Sequence, residues 1–225
     1  MKVFTHLPLP FPLPDLRTES LDDKRYYITP EGNVYPSITT VLSVLSEEAI
    51  EQWRERVGEE TAREISLHAS GRGTDLHAVI ESYLKNEPLT FPADPRSLVR
   101  IMFNRMKRPL DRIDNILAQE IALYSDALST AGRSDVVGEY EGVPSVIDFK
   151  GSTKAKKKSW IDGYFMQGTG YSLMFEERTG IKIEQIVILM CGENDFSCQV
   201  FKEHRDKWVE PLKQTIDRFI EKQTI

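Results

Sequence analysis

Over residues 116–124, 133–140 and 143–149 the apolar residues abandon helical spacing and alternate with a period of two. Three successive strands of this kind fix the middle of the chain as a sheet and leave the flanking segments to cover it. Ahead of them, Ile50, Trp53, Val57 and Ile65 recur at helical spacing after Glu47, which predicts one surface helix with a buried stripe to about Ser66. Gly71-Arg72-Gly73 predicts a break, with Thr74 capping a new helix to about Lys85 whose inner side carries Leu76, Val79, Ile80, Tyr83 and Leu84. Asp94-Pro95 predicts another helix start, and Pro109 its stop. After the strands, the spacing predicts a helix over 160–179 closed by Gly180, then strands over 183–191 and 196–201. A last helix carries Trp208, Leu212, Ile216, Phe219 and Ile220, kinked or delayed by Pro211. At the amino end, Pro8, Pro10, Pro12 and Pro14 make an extended arm whose apolar residues are expected to pack across the body. A small hairpin follows around Pro30-Glu31-Gly32-Asn33, and Pro36-Ser37 opens a short helix through Leu45. This order predicts a mixed α/β sandwich around one sheet.

The second and third strands meet at Glu141-Gly142. If those two residues form the turn, Asp135 and Asp148 lie directly opposite each other, their β-carbons roughly 5 Å apart on one face. Lys150, two residues beyond Asp148, points to the same face. A loop longer or shorter by one residue would shift this register. Two ionised carboxylates so close repel, so either a cation sits between them or one stays protonated. A hard divalent ion such as Mg²⁺ suits that site, while a surface ladder in which Lys150 offsets two acids would give the same pattern.

Other residues join the pair in sequence order. His77 sits in the helix after the glycine-flanked segment, Glu120 lies on the strand before Asp135, and Gln167 and Tyr171 are four apart on one helix face. The runs YPSITTVL, GRGTDLH, GRSD, IDFK and QGTGY, with the strand glutamate, resemble in order and spacing the RecB-like branch of the PD-(D/E)xK nucleases. Within it they look most like the group of the mitochondrial genome maintenance exonuclease and its phage and bacterial relatives. The resemblance implies a single nuclease domain over 1–225, with a restriction-endonuclease-like core. Its mixed central sheet is flanked by helices and preceded by a helical extension. The parts would be an arm and hairpin (1–36), a helical part with the metal histidine (37–112) and a catalytic sheet (113–225).

The same resemblance implies roles. His77, Asp135, Asp148 and the Phe149 carbonyl would hold one or two divalent ions, Mg²⁺ or equally Mn²⁺, since imidazole suits the later metal. Lys150 would orient or polarise the attacking water in an in-line phosphodiester hydrolysis. Gln167 and Tyr171 would hold the phosphate or the lysine, and Glu120 would either ligate or orient. Ser37 and Arg72 join as DNA contacts, Arg72 as a phosphate clamp in a flexible loop or simply as a solvated arginine. No iron–sulfur cluster is expected, because the chain has only two cysteines, Cys191 and Cys198. No nucleotide is expected either, for want of a G-x-x-x-x-G-K-[ST] phosphate loop, so any unwinding would come from a helicase or replication partner.

Charge sets further bounds. With 29 Lys and Arg against 35 Asp and Glu, the net charge of −6 excludes a general basic DNA coat or membrane binder. The average conceals two cationic stretches. Residues 149–161 hold Lys150, Lys154, Lys156, Lys157 and Lys158 with no acid, and residues 96–112 carry six cations against Asp111. The first could track phosphates beside the metal site or be a solvated loop. Trp53, Tyr83 and Trp160 are candidates for base stacking or core packing. In relatives the helices before the metal histidine can form an arch that admits single strands. The resulting expectation is a metal-dependent deoxyribonuclease, an exonuclease favouring single-stranded DNA or frayed ends, in repair, recombination or phage DNA metabolism. A structure-specific or nicking endonuclease and a non-catalytic DNA-end-binding subunit are the alternatives. With no membrane-length apolar run and no secretion-signal layout, the expected compartment is cytoplasmic.

Overall fold

The turn that decides the sheet's register forms as its two residues require. Glu141 and Gly142 both take positive φ, 54° and 78°, the signature of a two-residue type I′ hairpin turn. Tyr140 therefore pairs with Val143, and Val136 with Ile147. This hairpin, β5 (Thr130–Tyr140) and β6 (Val143–Ser152), is the middle of a five-stranded sheet. A computed structural model describes residues 2–22, 24–94 and 97–224. The sheet runs β4-β5-β6-β7-β8, with β4 (Ile113–Ser125), β7 (Gln185–Gly192) and β8 (Cys198–His204). Only β6 and β7 are parallel, joined through α5 (Asp162–Thr179), as a parallel crossover demands.

β7 is buried on both faces, and its alternation divides two cores. Val187, Leu189 and Cys191 meet α3 (Glu59–Leu84) and α4 (Val99–Leu110) in a cluster with Leu76, Ile80, Met102 and Phe103. Ile186, Ile188 and Met190 meet α5, α1 (Ile38–Leu42) and α6 (Asp206–Thr224). α5 lies close to the sheet because its small residues allow it: a β-carbon on Gly168 would stand 2.4 Å from Ile186 Cγ2. Cys191 and Cys198 face each other across β7 and β8 as free thiols. Among the described residues, no helix is long and apolar enough to cross a membrane.

Several elements differ from the sequence reading. The helix break falls at Gly58, not at Gly71-Gly73: α2 (Glu47–Val57) ends there and α3 runs unbroken through both later glycines. Gly58 takes φ +86°, which L-residues avoid, whereas glycine inside a helix costs only about 1 kcal/mol relative to alanine and does not force a stop. α2 has no buried residue, so the expected buried stripe is absent there, and Ile50 and Ile65 are exposed. Pro109 sits inside the last turn of α4, where a missing donor removes a single ladder bond near the helix end. Its expected partner in the helix start, Pro95, lies outside the described residues. α6 likewise begins at Asp206 and continues through Pro211. The hairpin of β2 (Lys24–Ile28) and β3 (Val34–Pro36) gains a third strand, β1 (Arg17–Leu21), from the end of the proline arm, so the chain holds a second, three-stranded sheet. The arm before it does pack on the body in part: Phe4 is buried edge-on to Tyr83, and His6 bridges to Ile116, while Val3, Leu7 and Phe11 stay exposed.

Candidate active site

The backbone register lines up three acids. β4 pairs with β5 at Gln119–Val136 and Ile121–Ser134, and β5 with β6 at Val136–Ile147, so Glu120, Asp135 and Asp148 form one row across adjacent strands. Glu120 itself takes φ +47°, an uncommon conformation for a residue with a β-carbon. The Arg133 guanidinium holds that kink by donating to the Glu120 carbonyl, and is itself fixed by Asp15 of the arm at 2.7 Å.

α3 brings His77 over the row. Its Nε2 lies 3.0 Å from the Phe149 carbonyl oxygen and its Nδ1 3.5 Å from the Asp135 carboxylate. The second Asp135 oxygen accepts from the Phe149 amide at 2.8 Å. His77, Glu120 and Asp135 each offer a ligand atom within 4.8 Å of the others. Asp148, 1% exposed, lies beside them: one oxygen accepts from the Gln167 amide at 3.1 Å and the other sits 2.6 Å from Lys150 Nζ. The Gln167 amide also donates to the Tyr171 hydroxyl at 3.2 Å. Tyr171 packs against Gly132, where any β-carbon would lie 2.7 Å from its Cε1. The glycine of GRSD thus makes room for the tyrosine of QGTGY.

Crowding of acids shows in their proton affinities. Burial, then the Asp135 charge, pushes the Glu120 carboxyl up to about 7. Burial raises Asp148 to about 6, with Lys150 pulling the other way and Asp135 adding to the rise. Burial would lower the Lys150 ammonium, but the Asp148 and Asp135 carboxylates outweigh it and hold its pKa above the ordinary value. Burial, then Asp148, keeps the Tyr171 phenol protonated. Carboxylates strained in this way, with one imidazole and a carbonyl beside them, are a donor set that fits a hard divalent cation.

A pH-dependent stability follows for the metal-free protein. A carboxyl raised on folding costs nothing below its unfolded value near 4.5 and its full penalty above about 7. Glu120→Gln is therefore expected to stabilise the fold in EDTA at about pH 8, by about 1–2 kcal/mol after discounting for solvent screening of a partly exposed group. The gain should shrink as the pH falls through 7 and vanish below about pH 4.5. Thermal melts of both proteins across that range check it; a difference independent of pH would contradict the assignment.

The remaining sequence candidates scatter. Arg72 is in mid-helix, not in a loop, and its guanidinium pairs with Glu193 of the β7–β8 turn at 2.5 Å. Ser37 is buried, its hydroxyl accepting from the Thr40 amide as the cap of α1, which removes it from the surface. Lys158 is exposed but pairs with Glu203, Lys156 is half-buried and approaches the Tyr164 hydroxyl, and Lys154 and Lys157 are exposed. Trp160 is 60% exposed with Lys157 over its ring, whereas Tyr83 is a core residue. Residues the sequence reading missed are Arg133, Asp15, Glu193 and Arg25, the last lining a cleft of 450 Å³ with His77 and Glu120. Arg133 is the second residue of the GRSD run; nothing in the sequence pointed to the other three.

Fold and site together define an α/β protein with a histidine–carboxylate–lysine centre on the edge-to-middle strands of a mixed sheet. No family model matches the chain. It is similar to human mitochondrial genome maintenance exonuclease 1, 29% identical over 134 residues, which is 56% of this chain and 39% of the human protein. The mouse protein of the same name is 32% identical over 135 residues, with the same two shares, 56% and 39%. The similarity thus spans less than half the length of these curated relatives. A crystal structure of a candidate exonuclease from Eubacterium rectale superposes with a TM-score of 0.47 and 12% identity, over 68% of this chain and 66% of that one.

Proposed function

We propose that the chain is a metal-dependent DNA exonuclease of the RecB-like PD-(D/E)xK type, hydrolysing phosphodiester bonds of single-stranded DNA or frayed ends. The observation that carries this reading is the convergence of His77, Glu120 and Asp135 within 4.8 Å, beside the buried Asp148–Lys150 pair. The exonuclease names of the human and mouse relatives support it. His77, Asp135, Asp148 and the Phe149 carbonyl would hold Mg²⁺ or Mn²⁺, with Glu120 close enough to join them. Such an ion, when bound, supplies Lewis-acid polarisation and neutralises charge on the phosphate. Lys150 keeps its proton at Nζ through Asp148 and offers it as a hydrogen bond to the attacking water or a non-bridging oxygen. Gln167, backed by Tyr171, fixes the Asp148 carboxylate in turn.

The preference for single strands rests on α2 and the first half of α3. Ile50, Ile65 and Leu67 are exposed on these helices, which lead to His77 and offer apolar surface to unstacked bases. Lys154, Lys157 and Trp160 extend a backbone-and-base track on the other side of Lys150. Repair, recombination or phage DNA metabolism, with a helicase or replication partner for duplex DNA, is the setting this enzyme suits. End-labelled single-stranded, duplex and closed circular DNA, incubated with purified protein and Mg²⁺ or Mn²⁺, tests the reading. Short products from linear single strands and intact circles are expected; circles cut as fast as linear DNA would replace the exonuclease reading with an endonuclease.

A further inference from the structure

The cations around the acidic row are already engaged. Lys150 pairs with Asp148, Arg72 with Glu193, Arg133 with Asp15 and the Glu120 carbonyl, and Lys85 with Glu81. Arg25, by contrast, lines the cleft between β2 and α3 together with Gly73, Thr74, His77, Glu81 and Glu120, and its exposed guanidinium has no partner among the described residues. Its backbone, however, is held at both polar groups. The Arg25 amide donates to Thr40 Oγ1 at 3.1 Å, and its carbonyl accepts from the Ser37 amide at 2.8 Å and from Thr40 Oγ1 at 3.3 Å. α1, which supplies this clamp, rests on α5: a β-carbon at Gly170 would lie 3.0 Å from Ile38 Cδ1. The same helix α5 carries Gln167 to Asp148. An unpaired guanidinium is thus tied, through rigid elements, to the residues that shape the acidic row. The buried Ser37 and Thr40 thus serve to place Arg25.

We infer that Arg25 is a phosphate-binding residue, whose planar fork takes two non-bridging oxygens of a phosphate on a nucleic-acid strand lying in this cleft beside His77 and Glu120. Arginine suits that task because its donors match the oxygens in pairs and it stays charged at any working pH. Gly73 on the opposite wall, with nothing within 4 Å of a built β-carbon, leaves space for the strand. The inference rests on the nuclease reading but is tested separately from it. Binding of a fluorescent single-stranded oligonucleotide is measured by anisotropy in Ca²⁺ against salt, and cleavage is measured in Mg²⁺, for the parent, Arg25→Lys and Arg25→Ala. Arg25→Ala should melt like the parent, bind about tenfold more weakly and lose about 0.7 from the salt slope, the share of one single-strand phosphate contact. Its kcat/KM should fall by about tenfold or more, with Arg25→Lys between the two. Substrates with and without a terminal phosphate identify the source: a defect kept on unphosphorylated ends assigns a backbone phosphate, and one confined to phosphorylated ends a terminal phosphate. Parental affinity and salt slope in Arg25→Ala would overturn the inference, as would a parent that binds no oligonucleotide. A parent that binds but never cuts would remove the nuclease reading and leave the binding result for Arg25 standing.

Discussion

Asp148→Asn is expected to lower DNA hydrolysis by about a thousandfold or more, equivalent to about 4 kcal/mol of lost transition-state stabilisation. The residue sits where three functions meet. It completes the row with Glu120 and Asp135, it holds the Lys150 ammonium at 2.6 Å, and it receives the Gln167 amide at 3.1 Å. Asparagine keeps the shape but removes the charge, leaving the Lys150 ammonium without its paired carboxylate in a largely buried place, with only the more distant Asp135 to offset it. A stability loss of about 2–3 kcal/mol should therefore accompany the loss of activity. The double variant Asp148→Asn/Lys150→Met removes the orphaned charge and is expected to melt above the single variant while remaining inactive. Oligonucleotide binding in Ca²⁺ should stay within a few-fold of the parent, since the exposed cations are untouched. Cleavage by Asp148→Asn within tenfold of the parent would remove the proposed mechanism.

Gly132→Ala is expected to destabilise the protein by about 2–3 kcal/mol and to lower cleavage by about tenfold, although the residue touches no ligand atom. A β-carbon there would lie 2.7 Å from Tyr171 Cε1, 3.2 Å from its hydroxyl and 3.3 Å from Ile38 Cγ2. The ring is buried, so relief of the clash is expected to shift α5 and carry Gln167 away from Asp148. Tyr171→Leu shortens the obstacle but removes the hydroxyl that receives the Gln167 amide. The pair Gly132→Ala/Tyr171→Leu should then recover much of the stability but not the activity. A double-mutant cycle on melting and on kcat/KM checks both halves. If the two changes add without coupling, the contact is not what makes glycine necessary.

What was readable from the sequence follows the reach of each interaction. The Asp135–Asp148 register depended on a two-residue turn, and Glu141 and Gly142 take the positive φ values that such a turn requires, so a local rule carried over. The Gly180 stop of α5 is the same kind of case: its φ of 74° caps the helix as the sequence predicts. Helix continuity is not legible in the sequence, because glycine permits a break without compelling one. At Gly58 the backbone uses the left-handed region; at Gly71 and Gly73 it stays helical, with Leu76, Val79 and Ile80 packed farther along the same helix.

The sequence alone determined the strands of the five-stranded sheet, the β5–β6 hairpin and the register that sets Asp135 across from Asp148, and it named His77, Glu120 and Lys150 as candidates. Each depends on period, turn chemistry or alternation within a few residues. Only the tertiary structure decided which charges are spent and which remain. Arg72 is taken by Glu193, and Arg133 by Asp15 and the Glu120 kink, while Arg25 is left unpaired in the cleft among the described residues. The two ion pairs join residues more than a hundred positions apart, Arg72 with Glu193 and Arg133 with Asp15, the latter separated by 118. No local pattern encodes them, because a salt bridge or a clash depends on how whole elements settle against one another, and that is fixed by burying the two cores on either side of β7.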